Sequence, residues 1–334
     1  MSSVLVTGAS GFIGSAIVRE LCARKNGMVR ALVRKSSPLI NLKGLPVEIV
    51  YGDIYYPESL EQAMKGIDTV YHAASIYQFY PWWKRKVAPI YKVNIQGVRN
   101  MLSVAKRSEV KKFVYTSSVI TVGENADGLS DENTPSGKLQ ESSHYARTKL
   151  TAERMVLDEA KKGFPALVVN PGMVFGEGDI KPTPSGEPIV KCLNQSYPGY
   201  FHTIWSVADV RDVAKGHLSA SEKGKIGERY ILCNREHYSM KQIFKTLEKI
   251  SKIRAPFIRF PYALLYPFVY IDELTTRWIP RKPILPVEGV RFCQFSLCCD
   301  NSKAVRELNY KTTPFEETLE RAVKWFRDHG YLKR

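Results

Sequence analysis

Tyr145 and Lys149 are the residues of this chain whose types and spacing point most directly to chemistry. Residues four apart on a helix share one face, so these two side chains can act on the same proton. A lysine ammonium beside a phenol favours the phenolate, which predicts that the pKa of Tyr145 falls from about 10 towards neutrality. Such a phenol can serve as a general acid or base for a carbonyl or hydroxyl group.

The spacing alone carries little information, because the chain contains 18 tyrosines and 49 lysines and arginines. Tyr80 and Lys84 have the same separation, but Pro81 and two adjacent tryptophans lie between them and favour a loop. Residues 146–160 are good helix formers throughout, so helical geometry is predicted only for the pair at Tyr145. An ordinary surface pair on a helix is the alternative at this point.

A glycine-rich turn near the start of the chain predicts a dinucleotide site. An apolar strand at 4–7 runs directly into the turn, and a helix follows. Glycines let the backbone approach a pyrophosphate, and the first amides of a helix favour its charge. The spacing Gly-x-x-Gly-x-x-Gly departs from the commoner Gly-x-Gly-x-x-Gly, so a purely structural turn is the alternative. The predicted cofactor contacts of the turn are Gly8, Ser10, Gly11, Phe12, Ile13 and Gly14.

Arg34 follows the second predicted strand, at the place where an acidic residue would receive the ribose hydroxyls of NAD. A guanidinium there would pair with the additional phosphate of NADP, which a carboxylate would repel. We therefore predict NADP(H) as the cofactor in preference to NAD(H). The alternative is that Arg34 and Lys35 only face solvent.

Short apolar runs alternate with helical patterns along the first half of the chain. Strands are predicted at 4–7, 29–33, 48–51, 69–72, 113–116 and 166–170, and helices at 13–23, 59–64 and 146–160, with a long helix ending near 106. This alternation predicts an α/β fold, a doubly wound parallel sheet of the Rossmann type. After residue 170, proline and glycine become frequent, and helices are predicted from about 212, from about 239 and at 316–327. We predict an NADP-binding domain at 1–170 and, at 171–334, mainly a smaller α/β substrate-binding cap, some segments of which return to the sheet.

The composition is typical of a soluble globular protein, with 334 residues of which 44% are apolar and 25% charged. A buried strand at 3–7 leaves no room for a cleavable export signal before it, and the longest apolar stretch, 260–271, is too short to span a membrane. Six cysteines without a Cys-x-x-Cys pattern predict free thiols and no metal site. We expect a cytoplasmic protein.

The net charge of +16 indicates anionic partners. The candidates are a phosphorylated cofactor, an acidic carrier or thioester substrate, and an anionic membrane surface. Nucleic acid is not predicted, because no zinc finger, helix-turn-helix or aromatic RNA-binding motif is present and the basic residues are spread along the whole chain.

Several motifs resemble those of a known family. They are the glycine turn at 7–14, Gly-Asp-Ile at 52–54, His-Ala-Ala at 72–74, Asn-Ile-Gln-Gly at 94–97, Tyr-Thr-Ser-Ser at 115–118 and Tyr-Ala-Arg-Thr-Lys at 145–149. Together they resemble the extended short-chain dehydrogenase/reductase superfamily, or NAD-dependent epimerase/dehydratase family. The chain is most similar to the dihydroflavonol 4-reductase-like proteins and the hopanoid-associated sugar epimerases, and the segments 170–184 and 322–327 extend this resemblance nearly to the end.

The resemblance implies roles for individual residues. The catalytic serine falls on Ser118, with Ser117 as the fallback, Tyr145 is the acid or base, and Lys149 lowers its pKa and holds the nicotinamide ribose. Implied cofactor contacts are Asp53 and Ile54 at the adenine, Ala73, Ala74 and Ser75 near the pyrophosphate, Asn94 from its helix, and Pro171 and Val174 at the nicotinamide end. A purely structural role is the alternative for each of these contacts. The resemblance also implies a homodimer formed through the long helices after the fourth and fifth strands.

The predicted reaction is reduction of a ketone or aldehyde, or the reverse oxidation of an alcohol. Arg34 favours a reductase, which must exchange its cofactor in every turnover, over an epimerase, which recycles tightly held NAD. Val119 and Ile120 stand where sugar dehydratases have an acidic pair, which argues against dehydration. An NAD(P)-dependent sugar-nucleotide epimerase and a non-catalytic NADP-binding sensor are the alternatives.

Two aromatic segments bear on the substrate and on partners. Residues 76–83 are predicted to overhang the nicotinamide, and their lack of carboxylates suits an apolar substrate, lipid-like or thioester-linked, with the basic residues 84–86 meeting an anionic group. A packed loop with a solvated basic edge is the alternative. Residues 260–271, flanked by arginines, are consistent with peripheral membrane contact, with core packing of the cap or with a dimer contact.

Overall fold

A seven-stranded parallel sheet forms the centre of the protein. The computed structural model describes residues 2–25, 27–79, 87–125, 128–197, 199–279 and 281–332. From one edge to the other, the strands are β3 (Glu48–Tyr51), β2 (Gly27–Val33), β1 (Ser2–Thr7), β4 (Thr69–His72), β5 (Lys112–Thr116), β6 (Ala166–Pro171) and β10 (Arg229–Leu232). The predicted doubly wound parallel sheet is thus confirmed. The strand order reverses between β1 and β4, which opens a crevice at their carboxyl ends.

Helices cover both faces of this sheet. One face carries α1 (Phe12–Arg24), α7 (Val210–Lys223) and α11 (Ser302–Leu308), and the other carries α2 (Pro57–Met64), α4 (Val98–Arg107) and α5 (His144–Lys161). Helix α5 begins where Ser143 accepts a hydrogen bond from the amide of Ala146, at 3.0 Å. Its buried residues, such as Ala152 and Val156, recur at helical spacing and pack on the sheet.

The predicted long helix after β4 is helical from residue 88 to 107, but its middle is not α-helical. A short α3 (Ala88–Tyr91) leads into a π-helical turn at Lys92–Gly97, which continues directly into α4. Pro89 fixes the start, because proline fits the first turn of a helix, where its missing N–H is not needed. Single π-turns inside helices often occur at functional sites. Residues 80–86, which include Tyr80, Lys84 and the basic run, lie outside the described residues.

The cap is built from small sheets and further helices. Strands β7 (Met173–Phe175), β9 (Ile204–Asp209) and β11 (His237–Ser239) form one sheet, and β8 (Gly199–Tyr200) pairs with β12 (Ile258–Arg259). Its helices are α6 (Gly186–Leu193), α8 (Met240–Ser251), α9 (Tyr262–Thr275), α10 (Val287–Cys293) and α12 (Phe315–Asp328). They enclose a separate apolar core that includes Phe244 and Phe326. Among the described residues, no helix is both long enough and apolar enough to cross a bilayer.

Candidate active site

A cavity of about 340 Å³ lies at the carboxyl ends of the central strands. Gly8, Ala73 and Thr116, which lie at or just beyond the ends of β1, β4 and β5, all line it. Ligands of open α/β sheets bind at this edge, where the strand order reverses. The cavity therefore lies where cofactors bind in folds of this type.

The glycine turn has the close backbone packing that a pyrophosphate site requires. Gly8 adopts a φ of +65°, and a Cβ atom there would lie 2.7 Å from the backbone nitrogen of Ala74. A Cβ atom on Gly14 would overlap the carbonyl oxygen of Gly8. The missing side chain at Gly14 therefore lets the first turn of α1 pack closely against the loop. Within the described chain, no side chain caps α1, so its first amides can bind an anionic group. These features fit the diphosphate of a dinucleotide.

Most of the predicted cofactor contacts line this one cavity. They are Gly8, Ser10, Gly11, Phe12, Ile13, Gly14, Arg34, Asp53, Ile54, Ala73, Ala74, Ser75, Tyr145, Lys149, Pro171 and Val174. Arg34 is exposed at the rim, just beyond β2, and Ser37 lines the same end. The cavity thus runs from Arg34 at one end to Pro171 and Val174 at the other.

Asn94 lies behind the cavity wall. Its side-chain oxygen accepts from the amide of Ile76 at 2.8 Å and from the Ser75 hydroxyl at 3.2 Å, and its amide nitrogen donates to the carbonyl of Ile76 and to the Thr148 hydroxyl. The π-helical turn places Asn94 between the loop after β4 and helix α5. Direct contact between Asn94 and a cofactor stays a prediction, but its hydrogen bonds position Ser75, which lines the cavity.

Ser118, Tyr145 and Lys149 meet at the inner end of the cavity. The polar side chain of Ser118 favours the ionised form of the Tyr145 phenol and so lowers its pKa. The Ser118 oxygen also accepts from the amide of Ile120, at 3.3 Å, at the start of a short 3₁₀ turn. Ser117 lines the cavity as well, and its buried hydroxyl has no hydrogen-bond partner among the described residues. The hydroxyls of Ser118 and Tyr145 thus lie where both can bind one substrate oxygen.

The phenol of Tyr145 does not have the lowered pKa that the spacing with Lys149 predicts. Burial raises the pKa of Tyr145 well above its usual value, and the polar side chain of Ser118 opposes this shift. The ammonium of Lys149 instead donates to the carbonyl oxygen of Thr116 at 2.6 Å and lies 4.7 Å from the ring centre of Tyr115. Burial lowers the pKa of Lys149 to about 7, an effect that the charge of Glu153 opposes. Without cofactor, Tyr145 is therefore a neutral phenol and a proton donor.

Glu153 lies one helical turn beyond Lys149 and holds the segment that carries Ser118. Its carboxylate accepts from the Thr121 hydroxyl at 2.6 Å, from Asn170 at 2.7 Å and from Arg229 at 2.9 Å. The carbonyl of Ser118 accepts from the Asn170 amide at 3.2 Å and lies 2.8 Å from the Thr121 hydroxyl oxygen. The side chain of Glu153 is 1% exposed, so these bonds are not shared with bulk solvent. The sequence analysis missed this residue, although its i+4 spacing from Lys149 was visible.

Glu153→Gln is expected to shift the alkaline limb of the kcat/KM profile to lower pH by about one unit. The neutral amide no longer favours the charged form of Lys149, whose pKa therefore falls further. Steady-state rates across the pH range measure the shift. Asp158→Asn, an exposed change on the same helix, is the control and should leave the profile in place. An unmoved limb in Glu153→Gln, with reduced stability alone, would assign Glu153 a purely structural role.

Aromatic side chains from the loop after β4 and from the cap form one wall of the site. The ring of Tyr77 lies 4.4 Å from that of Tyr145, and Phe79 lies 5.5 Å from Phe292 of α10. Trp205 of β9 also lines the cavity. Sequence analysis identified the 76–83 segment but not Phe292 or Trp205, because no local pattern indicates which cap residues return to the cleft.

A second, larger cavity of about 760 Å³ adjoins the first and shares Tyr77, Trp205 and Phe292 with it. It lies between the cofactor edge of the sheet and the cap. Aromatic and aliphatic side chains line it together with cations, among them Lys181, Arg281 and Lys282, and with the carboxylates of Asp179 and Glu187. Its position next to Tyr145 makes it the candidate substrate cleft.

Comparison with known proteins gives a consistent result. The model of the NAD dependent epimerase/dehydratase family matches residues 4–233. A Synechocystis protein with the provisional name dihydroflavonol 4-reductase is 37% identical over 98% of this chain and 95% of its own length. Sterol demethylase protein B of Methylococcus capsulatus is 31% identical over 99% of this chain and its whole length. The crystal structure of a nucleoside-diphosphate-sugar epimerase from Pseudomonas aeruginosa superposes with a TM-score of 0.82 at 25% identity, covering 99% of each chain.

Proposed function

Because this chain belongs to the NAD-dependent epimerase/dehydratase family, and is an NAD(P)-dependent enzyme of the extended short-chain dehydrogenase/reductase type, we propose that it reduces a ketone or aldehyde on an apolar substrate with NADPH. The observation that carries the proposal is the position of Tyr145, whose neutral, buried phenol lies in one cavity with Ser118 and Lys149 and 4.4 Å from the ring of Tyr77. A protonated phenol is the form that a carbonyl reduction requires. The reverse reaction would use the same residues to oxidise a secondary alcohol.

The residues of the site have separate roles in this reaction. The bound cofactor would supply the hydride. Ser118 donates a hydrogen bond to the carbonyl oxygen, which polarises it, and Tyr145 gives its proton to that oxygen as negative charge develops there. The buried ammonium of Lys149 stabilises the phenolate that this transfer leaves behind. Reprotonation of Tyr145 from solvent then restores the site.

The exposed guanidinium at the rim supports the choice of NADP(H). Arg34 lines the cofactor cavity together with Ser37, and the neighbouring Lys35 does not. A phosphate on the adenine ribose would gain a charge-assisted hydrogen bond from Arg34. The matching family is described as NAD dependent, so the family supports a nicotinamide cofactor, and the choice of NADP(H) rests on Arg34.

Arg34→Ala is expected to weaken NADPH binding by roughly 10- to 100-fold, the equivalent of one charged hydrogen bond. Binding of NADH should change little. Titration of both cofactors, followed by nicotinamide fluorescence, measures the two affinities. Lys35→Ala removes a neighbouring charge that is also exposed and is the matched control. An unchanged ratio of NADPH to NADH affinity in Arg34→Ala would contradict the assignment.

The aromatic cleft wall and the named activities of relatives support an apolar substrate. Tyr77, Phe79 and Phe292 form an aromatic wall next to Tyr145, and the carboxylates of the cleft, Asp179 and Glu187, line only the larger cavity. One relative bears the name of a sterol demethylase protein, and another that of a flavonoid reductase. A screen of ketones and aldehydes with NADPH absorbance as the readout tests the proposal. Turnover of polycyclic or long-chain carbonyls is expected, and activity confined to nucleotide sugars would overturn it.

A sugar-nucleotide epimerase is the second candidate, favoured by the structural similarity to the Pseudomonas aeruginosa epimerase. Such an enzyme would purify with about one equivalent of bound NAD and would need no added nucleotide. Denaturing the purified protein and assaying the released cofactor separates the two candidates. The reductase proposal expects substoichiometric cofactor and activity that depends on added NADPH.

A further inference from the structure

Helix α9 presents an apolar face to solvent. Leu264, Phe268 and Ile271 are 70%, 53% and 65% exposed, and the helical turn that follows the helix adds Trp278 at 70%. These positions are separated by four, three and seven residues, so they share one face. We call them the α9 patch. The opposite face of the helix, with Leu265 and Val269, is buried in the cap core.

This exposure removes one of the alternatives that the sequence left open for residues 260–271. Core packing accounts for only one face of the helix, because the α9 patch remains uncovered. Half of the large hydrophobic residues that are exposed in the described chain lie between 257 and 284. Concentrated exposed apolar residues mark an interaction surface rather than ordinary surface variation.

The charges that residues 252–284 expose around and within the α9 patch are all basic. Between 252 and 284 the chain has six basic residues, and its two acidic residues, Asp272 and Glu273, are both buried. Asp272 is paired with Arg281 at 2.6 Å. The exposed cations include Arg259 and Arg277. An apolar helix face with an aromatic side chain, basic flanks and no exposed carboxylate has the character of a helix that lies in a membrane interface.

We propose that the α9 patch docks this protein on an anionic lipid membrane. The apolar side chains enter the headgroup and acyl boundary, while the flanking arginines contact lipid phosphates. The residues directly after the patch, Arg281, Lys282 and Ile284, line the larger cavity. Docking would therefore bring a wall of that cavity to the lipid surface. Delivery of an apolar substrate from the membrane is a consequence that rests on the proposed function, whereas docking itself does not.

Flotation of the full-length protein with lipid vesicles tests the proposal. Vesicles of phosphatidylcholine with about one third phosphatidylglycerol should carry the protein upward, and pure phosphatidylcholine vesicles should carry much less. At about 1 M salt, where the screening length is roughly 3 Å, binding should weaken markedly. Failure of the unmodified protein to float with the anionic vesicles would overturn the proposal.

Phe268→Asp is the decisive variant, because it places a charge on an exposed face and does not disturb the core. Vesicle binding should fall by at least tenfold, about the effect of losing the burial of one large apolar side chain. Val305→Asp adds the same charge at a site of similar exposure, 45%, on α11 and should bind as the unmodified protein does. NADPH affinity, measured for both variants, confirms that they are folded. Equal flotation of the two variants would contradict the proposal.

The test also distinguishes a membrane from a second copy of the chain. Quenching of Trp278 fluorescence by brominated lipids, absent in Trp278→Phe, is expected for a docked patch. Light scattering should give the same mass for the unmodified protein and for Phe268→Asp. A dimer that dissociates in Phe268→Asp, without vesicle binding by the unmodified protein, would assign the α9 patch to self-association and overturn membrane docking.

Discussion

Replacing Tyr145 with phenylalanine is expected to lower kcat by about 10²- to 10⁴-fold, the usual contribution of a positioned general acid. The ring keeps its packing, since it is 8% exposed and stacks beside Tyr77 at 4.4 Å, and only the hydroxyl is lost. NADPH affinity should therefore stay close to that of the unmodified enzyme. Single-turnover absorbance measures the chemical step, and a fluorescence titration measures the binding.

The matched control removes a buried phenol hydroxyl far from the cleft. Tyr71 on β4 is 3% exposed, does not line the cofactor cavity, and lies close enough to Ser221, Glu222 and Arg24 for them to affect the pKa of its phenol. Tyr71→Phe should turn over at the normal rate. Undiminished activity in Tyr145→Phe would remove Tyr145 from the mechanism. Equal losses in both variants would mean that packing, and not proton transfer, is being measured.

The local parts of the site could be predicted from the sequence because short-range chemistry determines them. Gly8 adopts a positive φ, and Gly14 lies so close to the loop that a side chain would not fit. Glycine meets both requirements because it has no Cβ atom, so the residue type alone predicts them. The alternation of strand and helix then constrains the sheet to be parallel, which places the glycine turn and Tyr145 at the same edge. Those inferences need no knowledge of the cap.

The electrostatics of Tyr145 could not be predicted in the same way. The prediction of a lowered pKa treated the Tyr145–Lys149 pair as if it stood in water on an isolated helix. In the folded chain Tyr145 belongs to a buried apolar cluster that includes Ile231 and Leu297 from distant segments. Desolvation by these residues raises the pKa of the phenol, and Lys149 finds its partner at the end of β5. Burial by residues remote in sequence decides the sign.

For helix α9, too, the sequence does not show which residues are buried. Its apolar residues surround the helix almost evenly in the sequence, so their spacing does not reveal which are buried. The cap core takes Leu265 and Val269 and leaves Leu264 and Phe268 outside. That choice depends on how α9 packs against α10, which is a tertiary contact.

Lys149→Met is expected to change both turnover and the pH dependence of stability. Turnover should fall by roughly 100-fold or more, because the phenolate of Tyr145 then lacks the cation that stabilises it. Burial lowers the pKa of Lys149 from its ordinary 10.5 to about 7 in the folded, cofactor-free protein. Between these values the unfolded chain holds a proton that the folded chain lacks, so rising pH favours the folded state of the unmodified protein. The variant lacks this contribution.

The difference in unfolding free energy between Lys149→Met and the unmodified protein should therefore move by about 1.4 kcal/mol per pH unit above pH 7, in favour of the unmodified protein. Below about pH 7 the lysine is protonated in both states, so the difference should become constant. Urea unfolding at a series of pH values measures it. Lys161→Met, an exposed change on the same helix that removes the same charge, should show no such slope. A flat difference for Lys149→Met would mean that Lys149 stays charged when buried, and Tyr145 would then have a permanent cation beside it.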